Sequence, residues 1–596
     1  MSVLAIGCLT MKRGLGFLLL ALLVAFSACP ARAFTRQPVA AENGMVVSSQ
    51  HLASQVGVEI LEAGGNAVDA AVAVGYAMAV VNPCCGNLGG GGFATIRLAD
   101  GSAMFVNFRE KAPLAATPNM YLDAKGELIE NASLVGYLAV AVPGSVLGLD
   151  SMLAKYGTMS RAAVMAPAIK LAAEGFTLTA GDATILATAA EAFAKQPNVA
   201  AIFLKDGKPL KEGDRLIQPD LARTLKAIAE TGSDAFYRGA IADKIVTASR
   251  ANGGILSKED FTKHSVSETA PLECSYRGYE IYSAPPPSSG GTAICLILHI
   301  IEAYPMRDWG YHSAQAVHVL AEAMRHAFVD RNFLLGDPDF ISNPLGRLLS
   351  KEYAAKLSAA IKMDKATPST ELQQGKPPHE GTQTTHYSIV DKAGNAIAVT
   401  TTLNALFGAK VIAGDTGFFL NDEMDDFTTK PGAANLFGLV QGENNAIAPG
   451  KRPLSSMSPT IVAKDGKTFL VVGSPGGSRI ISIVAQVIID VVDYGMTIQE
   501  AVNAPRIHHQ WLPDQITVEP FALSADTTAL LTARGHKIVT QSPWGAAEAI
   551  LIGPAAAADT GDATSGNDAA RLSATVPGMR YGGHDDRRPA GAAAGY

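Results

Sequence analysis

The residues that could do chemistry start at Thr384. Thr384 and Thr385 head the run Thr385-His386-Tyr387-Ser388-Ile389-Val390, which has the makings of a strand. The stretch before them, 363–383, is polar and contains Gly375, Pro377, Pro378 and Gly381, the composition of a mobile surface segment open to cleavage. A cut between Gln383 and Thr384 gives one residue both a hydroxyl and a free α-amine. An α-amine has a reference pKa of about 7.7–8.0, so it can act as a base at neutral pH, where lysine is protonated. That is the threonine form of a nucleophile paired with its own base.

A second group is Gly473-Ser474-Pro475-Gly476-Gly477-Ser478: a strand, a glycine turn, then a helix start. Free N–H groups at such a turn face an anion, and the helix dipole adds to the field. The lysine of a phosphate loop is missing, so an oxyanion formed during acyl transfer fits better than a phosphate. The plain alternative is a tight strand-to-helix turn.

Other engines are absent. There is no Gly-x-Ser-x-Gly elbow and no His-Glu-x-x-His zinc helix. Gly89-Gly90-Gly91-Gly92-Phe93-Ala94 fits a dinucleotide fingerprint formally, but a helix precedes it and a strand follows, the reverse of the required order. Its glycines point instead to a close backbone approach or a sharp turn. His508-His509 is the one adjacent histidine pair, and neighbouring side chains diverge. No Cys-x-x-Cys exists to suggest structural zinc.

These groups need positioning elements. Residues 49–62 and 67–81 read as helices, the second capped by Asn66 and apolar nearly all round, hence buried. Strands are expected at 93–98 and 103–108, joined through Asp100-Gly101. Residues 110–375 read as mostly helical, with the longest helix at 313–333. After Thr384 the pattern switches to strand pairs, 385–390 with 396–402 and 459–463 with 468–473. A buried helix follows at 478–493, then another capped by Thr497 and Glu500. Residues 34–45 read as an extended leader and 555–580 as a loose low-complexity insertion. Two regions of helices and strand pairs suggest two sheets packed between helix layers.

Composition narrows the class further. Hydrophobic residues make up 48%, charged residues 17%, and the net charge is -7, with no basic block to hold a nucleic acid. Lys12 and Arg13, an apolar run over 14–26 and Ala31-Arg32-Ala33 form a signal-peptide pattern over residues 1–33. Export to the periplasm or medium is expected, with lipid anchoring at Cys29 ranked second. Four cysteines then remain, Cys84, Cys85, Cys274 and Cys295. Adjacent cysteines rarely bond each other; Cys274 with Cys295 is a possible pair, and free buried thiols are the alternative.

With these residues in view, the chain resembles the γ-glutamyltranspeptidases. Thr-Thr-His-Tyr-Ser at 384–388 is similar to the start of that family's small subunit, and Asn-Phe-Arg-Glu-Lys-Ala-Pro around Arg109 to its carboxylate-binding stretch. Gly64-Gly65-Asn66-Ala67-Val68-Asp69-Ala70-Ala71, Asn421 to Phe427, Pro453 to Pro459 and Gly473 to Arg479 match in kind and order. The likeness runs from about residue 40 to about residue 552.

The resemblance implies the N-terminal-nucleophile hydrolase fold, an α/β (α+β) four-layer αββα sandwich. It implies self-cleavage into a large subunit, 34–383, and a small catalytic subunit, 384–596, that stay together as a heterodimer. Thr384 would attack glutathione or another γ-glutamyl compound, and water or an amino acid or dipeptide acceptor would resolve the ester. Thr402 would orient the Thr384 hydroxyl, and the N–H groups of Gly476 and Gly477 would form the oxyanion hole. Arg109, Ser455 and Ser456 would hold the substrate α-carboxylate; Asn404, Glu423 and Asp426 would hold its α-ammonium. No metal or organic cofactor is implied. One departure stands out: Phe437 occupies a lid position, in residues 430–441, where many bacterial members carry tyrosine. Phe cannot donate the hydroxyl bond that would latch the lid to Asn404. Two rivals remain, a cephalosporin or glutaryl acylase of the same fold and an uncut exported binding protein.

Overall fold

In the computed structural model, which describes residues 36–372, 384–430, 432–553 and 575–596, Thr384 leads directly into an interior strand of a seven-stranded sheet. The strand order is Ala592–Gly595, Met45–Ser48, Thr385–Val390, Ala396–Thr402, Gly91–Arg97, Ala103–Phe108, Ser267–Thr269. Every neighbouring pair is antiparallel. A second seven-stranded sheet runs Val39–Ala41, Arg580–His584, Glu548–Ile552, Lys467–Gly473, Thr460–Lys464, Tyr279–Ser283, Leu272–Tyr276.

The alternation of side chains along these strands builds the layers. Met45, Val47, Val390, Ala396 and Ala398 of the first sheet pack on Ile461, Val471 and Ile550 of the second. Their neighbours in sequence, Val46, Ile389, Ile397 and Val399, face the other way, onto a helical core. That core contains Ala67–Val81, whose Asn66 and Asp69 form a reciprocal capping box. On the outer face of the second sheet, Val462, Leu470, Val472 and Ala549 meet the helices Gly290–Ile301, Ala314–Leu334 and Ile480–Val492. Period-2 burial on both faces thus gives the expected αββα sandwich.

The helices at 51–62 and 67–81, both hairpins of the small part and the Thr497–Glu500 capping box stand as expected, to within a residue or two. Other readings need correction. The leader at 34–45 holds the strand Val39–Ala41 and the start of Met45–Ser48, one in each sheet. The chain end does the same: Arg580–His584 joins one sheet and Ala592–Gly595 the other. Arg580 therefore belongs to a strand and not to the insertion, of which 555–574 lie outside the described residues. The hairpin Leu272–Tyr276 with Tyr279–Ser283 sits within the stretch read as mostly helical.

Cys274 and Cys295 form a disulfide that ties this hairpin to the helix Gly290–Ile301. Contrary to the expectation for adjacent cysteines, Cys84 and Cys85 are also bonded. Both are buried where the chain leaves the helix Ala67–Val81. In the described part of the expected surface segment, 363–372, Asp364, Lys365, Thr370 and Glu371 are exposed, while Ser369 is buried, donates to the Trp511 carbonyl at 2.6 Å and receives Arg325. Residues 1–33, with Cys29, and the cleavage residue Gln383 lie outside the described residues.

Candidate active site

Pairing register brings the first group together. Thr385 pairs with Thr401 in the antiparallel ladder, so continuing the register sets Thr384 opposite Thr402. Both line one small cavity. Thr402 Oγ accepts the Asn404 N–H at 2.7 Å, which leaves its own proton to donate. Asn404 adopts φ +73°, a left-handed turn just past the strand, and its Nδ2 donates to the Asp422 carbonyl at 3.0 Å. The glycines at 89–92 are the close approach the sequence called for. A Cβ on Gly90 would lie 1.9 Å from the Thr402 carbonyl oxygen, so any side chain there would push this strand end away.

Arg109, Glu423, Asp426, Asn404, Ser455 and Ser456 line the same cavity. Arg109 follows the strand Ala103–Phe108 and is fully buried. Its Nη1 pairs with Glu423 and its Nη2 with Asp426, while Nε donates to the Pro453 carbonyl at 3.3 Å. The acidic residues come from the one-turn helix Glu423–Asp426. The fork and the two carboxylates expected to hold opposite ends of a substrate therefore neutralise each other across the pocket. Burial pushes the Glu423 carboxyl well above its ordinary range, against the pull of Arg109. It pushes Glu110, 3.4 Å from Arg109, up to about 7.

The serines are set for donation. Ser455 Oγ accepts the Met457 N–H at 3.1 Å, and Ser456 Oγ accepts from Arg331 Nη2 at 3.3 Å. With a lone pair engaged on each, the remaining hydroxyl protons are available to an acceptor in the cavity. Two acceptors lack any partner: Asn404 Oδ1 and Glu423 Oε2 are buried without a hydrogen bond.

The glycine turn closes the far side. Gly476 and Gly477 have φ +144° and +57°, and the one-turn helix Gly477–Arg479 leads into the buried helix Ile480–Val492. Gly477 lines the cavity; Gly476 precedes it and does not. A Cβ on Gly477 would sit 2.3 Å from the Phe437 ring, so that ring packs closely against the turn. Phe437 is buried, and the Gln510 side chain donates to its carbonyl at 3.3 Å. The acidic turn also anchors the segment expected to form a lid: Leu436 N–H donates to Asp425 Oδ2 at 2.8 Å.

One residue escaped the sequence reading. Arg331, in the last turn of Ala314–Leu334, lines the cavity and is fully buried. Besides Ser456 it donates to Gln441 Oε1 at 2.7 Å and Ser289 Oγ at 3.1 Å. Burial lowers its pKa to about 10, against the pull of Asp426, so it stays charged at neutral pH. The available signal was a cation in a long helix that is otherwise heavily buried. His508 and His509, as expected, turn to different partners, Ser482 and Gln510 for one and Asp514 for the other.

A four-layer sandwich with a threonine heading an interior strand, opposite a helix-capping glycine turn, defines an N-terminal-nucleophile hydrolase. The γ-glutamyltranspeptidase family model matches residues 53–572, and the chain belongs to that family. The glutathione hydrolase proenzyme of Pseudomonas sp. (strain A14) is 56% identical, over 95% of this chain and 96% of that protein. The glutathione hydrolase proenzyme of Escherichia coli (strain K12) is 51% identical, over 87% of this chain and 89% of its own length. Among solved structures, the cephalosporin acylase from Bacillus halodurans superposes with a TM-score of 0.79 at 28% identity, covering 96% of this chain and 98% of that one.

Proposed function

We propose that this chain is made as an exported proenzyme that cuts itself between Gln383 and Thr384 and then transfers or hydrolyses γ-glutamyl groups, glutathione being the natural donor. The freed α-amine of Thr384 takes the proton of its own hydroxyl, directly or through a water. Thr402 holds that hydroxyl toward the substrate. Oγ attacks the γ-carbonyl carbon, and the negative charge that moves onto the carbonyl oxygen is met by the Gly476 and Gly477 N–H groups. Losing one such donor typically slows acyl transfer about 10²–10³-fold. The amide C–N bond breaks, the leaving amine takes the proton from the α-amine, and a γ-glutamyl ester remains on Thr384. Water, or the amine of an amino acid or dipeptide, attacks this ester and frees the threonine.

Arg109, Ser455 and Ser456 hold the donor's α-carboxylate; Asn404, Glu423 and Asp426 hold its α-ammonium. The observation that carries this reading is the pair of unpartnered buried acceptors, Asn404 Oδ1 and Glu423 Oε2. An ammonium group brings N–H donors to both. A glutaryl or cephalosporin side chain without that group leaves them bare, which disfavours the acylase alternative. Sites built for a hydrogen bond reject analogues lacking it by about 10⁴–10⁵. Among the described residues no helix is long and apolar enough to cross a membrane, and export rests on the signal-peptide pattern over residues 1–33.

The test compares γ-glutamyl-p-nitroanilide with glutaryl-p-nitroanilide, which keeps the terminal carboxylate and lacks only the α-amino group. A kcat/KM ratio of about 10³ or more in favour of the γ-glutamyl compound is expected. Equal rates would assign the chain to the acylases.

A further inference from the structure

Away from the active site, the helix Ala314–Leu334 carries His318 and Glu322 one turn apart, on one face. The fold brings His536, from the turn after the helix Ala525–Ala533, against them. All three side chains are buried, and one ligand atom of each lies within 4.8 Å of the others. We propose that His318, Glu322 and His536 bind a zinc ion.

The hydrogen bonds prepare this set. His318 Nε2 lies 2.9 Å from the Lys362 carbonyl oxygen, which can only accept. The proton is therefore on Nε2, and Nδ1 presents a bare lone pair. A ring N–H held by a carbonyl is the usual support behind a metal-bound imidazole. Nδ1 faces His536 Nε2 at 2.7 Å. Glu322 Oε1 is occupied, receiving the Thr367 N–H at 3.2 Å and lying 3.3 Å from Arg325. Glu322 Oε2 is buried with no partner. An N–H···N bond between the imidazoles would explain their contact but leave that carboxylate oxygen bare, and an ion between the three groups uses all of them.

Charge and donor type select the metal. Arg325 is shared between Glu322 and Asp514, so one cation faces two carboxylates, and Glu322 is only partly compensated beside the two imidazoles. Two nitrogens and one carboxylate oxygen, with a water as fourth ligand, suit Zn²⁺; Ca²⁺ and Mg²⁺ prefer oxygen throughout. The ion would fasten residues 362–367, near the end of the large part, to the helix and to the His536 turn. This site stands independently of the γ-glutamyl reading, since none of its residues lines the Thr384 cavity.

The experiment uses the full purified protein from cells grown with added zinc, dialysed against metal-free buffer. Zinc per chain is measured by plasma mass spectrometry for wild type, His318→Gln, His536→Gln and Glu322→Gln, each checked by circular dichroism. About one zinc per chain is expected in wild type, with affinity weakened at least about 100-fold in either histidine variant. Cobalt exchanged into wild type should show tetrahedral visible absorption, absent from the variants. A wild type with under a tenth of an equivalent, or zinc that survives in both histidine variants, would overturn the proposal and leave a plain imidazole–imidazole hydrogen bond.

Discussion

Replacing Arg331 by methionine removes a buried cation that touches the cavity through Ser456. The guanidinium stands 3.3 Å from the Ser456 hydroxyl. A carboxylate accepting from that hydroxyl at about 2.7 Å would lie about 6 Å from the charge. At an effective dielectric of about 20, that separation is worth about 2.8 kcal/mol, or about 100-fold in affinity. Ser456 also loses the N–H that aims its proton, while Gln441 Oε1 keeps the Asn445 side chain at 3.2 Å. Bond breaking occurs at the far end of the donor. Arg331→Met should therefore raise KM for a γ-glutamyl donor about 10–100-fold and change kcat less than about fivefold, the mark of lost uniform binding. Arg331→Lys should fall between, because it keeps charge but not the fork. The assay is release of p-nitroaniline over a range of donor concentrations, on protein shown to be folded and cut. A KM within twofold of wild type would refute the assignment of Arg331 to the carboxylate pocket.

Three further outcomes are expected. Phe437→Tyr adds a hydroxyl to a lid that now closes by packing on Gly477; it should raise the transfer-to-hydrolysis ratio with a dipeptide acceptor, and an unchanged ratio would count against the lid's role. Gly473→Ala places a Cβ 2.2 Å from the His386 ring, between the sheets; overpacking of this kind costs about 1–3 kcal/mol, seen as a lower denaturant midpoint, and an unshifted midpoint would contradict the tight sheet contact. His584, although burial opposes it, is held up to about 9 by Glu548 at 2.8 Å. A raised pKa stabilises the fold fully below the unfolded value of about 6.5 and loses that contribution as pH rises past the folded value. The gap in thermal midpoint between wild type and His584→Gln should therefore shrink from pH 6 towards pH 10, and a gap that widens would reverse the sign.

Much of this was legible because local chemistry and global fold agree. The strands Thr385–Val390 and Ala396–Thr402 alternate, break at a Gly-Asn turn and fall on their expected residues. Asn66 with Asp69, and Thr497 with Glu500, announce their helices by capping geometry alone. Of the residues expected at the pocket that the structure describes, all but Gly476 line one cavity. What stayed hidden depends on partners distant in sequence. Leu272–Tyr276 is an edge strand with exposed and half-buried positions, which dilutes its hydrophobic signal. The ends of the chain become strands only because each finds an edge in the other's sheet. Arg331 and His318 lie on the same long helix, and neither has a neighbour in sequence that reveals its role. Gln441, Ser289 and His536 are 110, 42 and 218 residues away from them.

The most direct test of the account is intact mass with N-terminal sequencing of the purified wild type beside Thr384→Ala. The account predicts two chains from wild type, one starting Thr384-Thr385-His386, and a single uncut chain from the variant. A wild type that stays uncut yet cleaves γ-glutamyl amides, or a Thr384→Ala variant that cuts itself at the same bond, would contradict the claim that Thr384 is both the agent of cleavage and the nucleophile.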